Sequence, residues 1–223
     1  MSMLLDDPNT QITDQPAERL RMTMAASRVS LSWLGVHKTL TPEQRSRAAD
    51  TFGAEGDFLS AGKKLLDCRH PAFRAVTAVK GRVLNYANAM SLPYPEPGLR
   101  LIRQDRIDGV NDQMNLFKQE LDEAVWRLDE HFAELKAAAR DRLGSLYNPA
   151  DYPASLIGAF DVTWDFPSVE PPDYLRQLNP QLYEQQCRRI QDRFNEAVSL
   201  AEEAFTSELA QLISHLTERL GGR

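Results

Sequence analysis

The chain has 223 residues, 42% hydrophobic and 26% charged, and its 32 acidic residues outnumber 26 basic ones to leave a net charge of −6. This composition excludes an intrinsically disordered chain, and the acidic balance argues against a protein that binds polyanions with its whole surface. No apolar run reaches the roughly 18–20 residues a bilayer span needs, and the first twenty residues lack the basic start and apolar centre of a secretory leader, so the expectation is a cytoplasmic protein with no membrane association.

Residues 1–27 open with a polar stretch carrying Pro8 and Pro16 and no sustained period, which predicts a flexible arm. Val29, Leu31 and Trp33 then alternate with Ser30 and Ser32, the period of a half-buried strand. Thr41-Pro42-Glu43-Gln44 has the order of a capping box with proline at the first helical position, so a helix is expected from there to about Phe52. A short helix is expected over 58–67, then a third after His70-Pro71 with Phe73, Val76, Val79, Val83 and Tyr86 on one face. Pro93, Pro95, Pro97 and Gly98 end that helix. Residues 99–107 alternate in part and predict a second strand.

From Val110 to Leu143 apolar residues recur at spacings of three and four with neither glycine nor proline between them, predicting one helix of about 50 Å. After Gly144 the turn formers dominate to Pro180, except that Phe160, Val162, Trp164 and Phe166 alternate with polar residues as a strand should. Asn179-Pro180 opens a last helix, whose stripe runs from Tyr183 through Cys187, Ile190, Phe194, Val198, Phe205, Leu209, Leu212 and Leu216 to Leu220. Two long stripes each need cover. The economical reading is an antiparallel, coiled-coil-like hairpin of 110–143 with 181–220. The expected fold is therefore mainly α with a small β-sheet (α+β). A single domain would cover 28–223, its small-sheet and short-helix body being built from 28–109 and 145–180.

Few residues suggest chemistry. Gly56 to Lys64 superficially matches a phosphate loop, but five residues separate the glycines, Lys64 replaces the hydroxyl, and the segment follows a helix. His37, His70, His131 and His215 are scattered, and neither long helix carries the Glu-x-x-His spacing of metal bundles. His131 and His215 read as polar edges of the hairpin. The carboxylates of the long helices interleave with lysines and arginines, as on a solvated face. Cys68 has Arg69 and His70 beside it but no legible triad, while Cys187 falls on the apolar stripe. No catalytic residue, metal ligand or cofactor is expected, and the chain reads as a non-enzyme.

One charge asymmetry stands out. Residues 62–106 carry Lys63, Lys64, Arg69, Arg74, Lys80, Arg82, Arg100, Arg103 and Arg106 against three acidic residues, a local charge of +6, and Phe73, Tyr86 and Tyr94 interleave. Basic side chains release counterions from phosphates and aromatic rings stack on bases, so this segment, Tyr94 included, is a candidate surface for nucleic acid. A basic surface facing an acidic protein partner, or the acidic helices of the chain itself, is the other reading.

Val36-His-Lys-Thr-Leu-Thr41, Leu92-Pro-Tyr-Pro-Glu-Pro-Gly98-Leu-Arg-Leu101, Asp151-Tyr-Pro153 and the run from Phe160 to Asn179-Pro180 resemble an uncharacterised family of small helical proteins encoded on phages and integrative mobile elements. Genes of that kind lie near MoxR-like AAA+ ATPases and von Willebrand factor A (VWA) proteins. The resemblance implies an adaptor or assembly role beside such an ATPase, and it brings no catalytic residue. The expected function is thus a protein–protein interaction scaffold, with Trp33, Tyr94, Arg100, Arg103, Trp164 and Tyr174 as contact candidates at the sheet end and self-association as a further expectation. For Trp33 and Trp164 a core position is the favoured reading. The alternative is a nucleic-acid-binding accessory protein using 62–106.

Overall fold

The structure, a computed structural model, describes residues 15–221 and is mainly helical with a small sheet. The first half of the expected arm lies outside the described residues. The second half is ordered: α1 covers Pro16–Thr23 and runs directly into strand β1, Met24–Trp33. Ala17, Met24 and Ala26 are buried, so packing holds this segment where its own sequence shows no period.

β2 (His37–Thr39) and, farther along, β3 (Gly62–Lys64) form a two-stranded antiparallel ribbon, with Lys38 opposite Lys63. Between them lies α2, Pro42–Asp50, with the expected reciprocal cap: the Gln44 amide donates to Thr41 Oγ1 at 3.2 Å, and Thr41 N–H donates to Gln44 Oε1 at 3.1 Å. The short helix expected over 58–67 is not formed. The ribbon takes its place, because Gly62 lets the strands approach: a Cβ there would stand 3.2 Å from the Lys38 carbonyl oxygen.

α3 (Pro71–Ala89) buries Phe73, Val76, Val79 and Val83, the expected face. β4 (Ser91–Pro93), absent from the sequence reading, pairs with β5 (Arg100–Arg103), which pairs with β1. β6 is Phe160–Asp165, and the sheet order is β4-β5-β1-β6.

Between β5 and β6 the long helix is two helices, α4 (Ile107–Glu130) and α5 (Phe132–Leu143). His131 interrupts them with φ −91° and ψ 0°, and its N–H donates to the Leu128 carbonyl, a tightened turn. The stripe continues through the break: Met114, Leu121, Leu128, Phe132 and Leu135 are all buried. After β6 come α6 (Tyr174–Leu178) and α7 (Pro180–Gly221).

The described chain divides into two compact units. One comprises residues 15–29, 88–110 and 164–221, and the other 30–87 and 111–163. In the first, Ala17, Met24, Tyr94, Leu101, Ile190, Phe194 and Ala197 form the core. In the second, α3 meets β6 through Phe73 and Phe160, whose ring centroids are 6.1 Å apart, and meets α4 through Tyr86 and Phe117 at 5.6 Å.

The expected hairpin is corrected on two points. Its first arm is interrupted at His131. The stripe of α7 is met within its own unit by α1, α6 and β4 only as far as Ala201, and from residue 202 to 220 every residue is exposed. A period of 3.6 encodes an apolar face and not the element that covers it.

Candidate interaction surface

α7 starts where the sequence places it. Asn179 Oδ1 accepts from the Leu182 amide at 3.0 Å, and Pro180 occupies the first turn. The helix has 42 residues, about 60 Å at 1.5 Å per residue. Its inner part carries Ile190, Phe194 and Ala197 into the core, with Phe194 edge-on to Tyr94 at 5.6 Å. Burial pushes the Tyr94 phenol up from its ordinary value. Arg193, beside this core, pairs with Glu96 at 2.5 Å.

Past the core, α1 and α7 leave a shallow apolar groove of about 450 Å³, with Leu20, Val198, Ala201 and Phe205 in its walls. The stripe then continues bare. Phe205 is 68% exposed, Leu212 57%, and Leu209, Ile213, Leu216 and Leu220 are exposed as well. Glu202, Glu203, Glu208 and Glu218 flank it, with Arg219 the basic exception, so the outer face is apolar with an acidic border. An exposed apolar patch of this length on an ordered helix is unusual, since such faces are ordinarily covered.

The basic candidates fare differently one by one. Lys63 is buried: its ammonium lies 2.6 Å from Asp151 Oδ2 and donates to the Leu146 carbonyl at 2.6 Å. Lys38 reaches the other oxygen of Asp151 at 2.6 Å, and the two ammonium groups hold the Asp151 carboxyl below its usual range. Arg69 and Arg142 share Asp67 and likewise hold it well below the ordinary carboxylate value. Lys80 sits over the Trp33 ring at 4.7 Å, and Arg82 pairs with Glu120 at 2.5 Å. Tyr94 is core. Arg100 is half-buried and donates to the Ser91 hydroxyl and carbonyl, burial lowering its pKa. Arg103 pairs with Asp105 at 2.5 Å. Among the described residues, Lys64, Arg74 and Arg106 are exposed and form no ion pair.

The contact candidates at the sheet end are corrected in the same way. Tyr94 and Arg100 face inward, and Trp33 packs edge-on to Phe160 at 5.0 Å. Trp33 and Trp164 are half-buried, while Tyr174 is exposed.

Several segments that carry the resemblance are structural ties. Asp151 and Tyr152 bind the ribbon, the Tyr152 hydroxyl donating to the Leu65 carbonyl at 3.0 Å. Tyr94 and Glu96 hold α7, and Asn179 caps it.

Cys68 lies in a cleft of about 590 Å³ with Leu66, Asp67, Leu135 and Arg142. The carboxylate and guanidinium there are already paired with one another. His70, His131 and Glu134 bring their ligand atoms within 4.8 Å of one another and could hold a metal. The sequence hides this cluster, because the two histidines lie on separate elements and only the fold juxtaposes them.

No described helix is long and apolar enough to cross a membrane. No protein-family model, no curated protein and no solved structure matches the chain.

Proposed function

We propose that the chain is a non-enzymatic interaction protein of adaptor or assembly type that offers the outer half of α7 to an amphipathic helix of a protein partner. The observation that carries this reading is the bare stripe from Phe205 to Leu220. Burying a leucine of that kind against a partner is worth about 1.5–3 kcal/mol, so four or five of them supply a useful affinity even after ordering costs. The acidic border selects a partner whose helix carries lysine or arginine beside its apolar face. The resemblance to proteins encoded beside MoxR-type AAA+ ATPases and VWA proteins makes these the partners to test first.

The test is co-purification of the tagged full chain from its host, with the bound AAA+ or VWA protein then reconstituted with purified chain. Wild type retains the partner, and the double variant Leu212→Asp, Leu216→Asp loses it while keeping its helical circular dichroism. Undiminished retention by that variant removes α7 from the interface. The nucleic-acid alternative keeps the exposed cations of 62–106, of which Lys64, Arg74 and Arg106 form no ion pair among the described residues. Fluorescence anisotropy decides it: DNA or RNA binding at about 50 mM salt that weakens when these three become alanine would establish that alternative.

A further inference from the structure

Helix α4–α5 breaks at His131 although neither glycine nor proline lies there. Breaks without a breaker residue commonly accompany a function for the residue at the break. Here the break sets the His131 ring beside that of His70, in the turn ahead of α3. The two ring centroids are 5.1 Å apart with planes tilted by 55°. Glu134, in the first turn of α5, brings Oε2 to 3.5 Å from His131 Nδ1. One ligand atom from each of the three side chains falls within 4.8 Å of the others. All three belong to the same compact unit.

We propose that His70, His131 and Glu134 bind one divalent transition-metal ion of the zinc class. Two imidazole nitrogens and one carboxylate oxygen are donors that zinc, cobalt and nickel accept, whereas magnesium and calcium prefer oxygen alone. Bonds of about 2.0–2.2 Å to each donor require ligand atoms somewhat closer than 4.8 Å, a closure that rotation of the exposed Glu134 and His131 side chains supplies. One contact opposes the site. His70 Nδ1 accepts a hydrogen bond from the Ala72 amide at 3.3 Å. Coordination through Nδ1 displaces that amide, and coordination through Nε2 moves the ring proton to Nδ1, so either mode gives the bond up. It is long, and Ala72 is only half-buried, so water can take the amide over. The ion would pin the turn before α3 to the α4–α5 junction and leave coordination positions open for water or a partner's side chain.

Isothermal titration calorimetry of the full chain with zinc chloride tests the site, with cobalt chloride absorption reporting the donor set. One equivalent of zinc is expected, magnesium chloride giving no heat. His70→Gln and His131→Gln should each weaken binding by at least about tenfold, since even outer-sphere support is worth that much at metal sites. His215→Gln is the control: His215 faces Glu218 at the same spacing, 3.8 Å apart, with no second histidine, and its loss should change nothing. Zinc uptake that survives both His70→Gln and His131→Gln, that falls with His215→Gln, or that is absent from wild type overturns the assignment. If a histidine variant loses helical circular dichroism, ring ¹⁵N shifts of His70 and His131 in the wild-type chain decide the matter. Both must move with one equivalent of zinc, and unmoved shifts end the proposal.

Discussion

Phe194 and Phe205 lie on one face of one helix, three turns apart, yet Phe194 is 1% exposed and Phe205 68%. The inner residue lies in one core with Ala17 of α1 and has Tyr94 edge-on to it, and the outer one has solvent. Nothing in the spacing of the stripe distinguishes them. The difference is that the segments ahead of α7 reach only so far along it. α1 is eight residues long and covers α7 up to the groove at Ala201. The α4–α5 stripe has no such gradient, being buried from Val110 to Ala139. A long amphipathic helix covered for half its length leaves an apolar face bare, which is what the proposed partner would cover. One covered throughout is core.

The largest expected effect separates those two halves. Phe194→Ala should lower the unfolding free energy by about 3–5 kcal/mol, while Phe205→Ala should change it by under about 0.5 kcal/mol, both read by urea denaturation. Equal losses would mean that the outer half is covered in solution. Next is the buried ion pair of the ribbon. Asp151→Ala leaves the Lys63 ammonium buried without its counter-charge and should cost about 3 kcal/mol or more, and Asp151→Asn should recover little of it. A loss under 1 kcal/mol would place water at Lys63.

Acid should act on the same ties. Asp67, Asp105, Asp151 and Asp165 all titrate below the ordinary carboxylate value because arginine or lysine donors favour their ionised form. A depressed folded-state pKa contributes stability above the unfolded value, near 4, and that contribution drains away as pH falls below it. Stability should therefore be level from about pH 5 to 7 and decline below about pH 4, with a shallower decline in Asp151→Asn, as measured by thermal melts at fixed ionic strength. The smallest expected effect on folding is at Leu212→Asp with Leu216→Asp. The midpoint in urea should stay within about 0.5 kcal/mol of wild type while partner binding disappears.

Local signals were legible where the physics is local. The Thr41–Gln44 cap, the Asn179 cap, the α3 face and the alternation at Phe160–Asp165 all depend on residues within a turn or two, and each stands as the spacing predicts. β4 escaped because three residues among prolines carry no period, and its partner β5 supplies the hydrogen bonds. The ribbon strand Gly62–Lys64 looked helical because the alternation of buried Lys63 with exposed Lys64 is between two lysines. The basic segment looked like one surface because net charge counts side chains without their partners. Seven of its ten candidate residues have an intramolecular partner or a core position, although the Arg69, Arg82 and Arg103 pairs lie at the surface.

The sequence by itself determined the fold class, the capped starts of α2 and α7 and the two apolar stripes, since caps, proline and periodicity act over a few residues and need no tertiary context. Only the tertiary structure decided which stripe is covered, which cations are free, and that His70 meets His131 at a break no residue type announces. Those outcomes depend on which distant segments end up as neighbours, and burial and ion pairing are properties of neighbours rather than of residues.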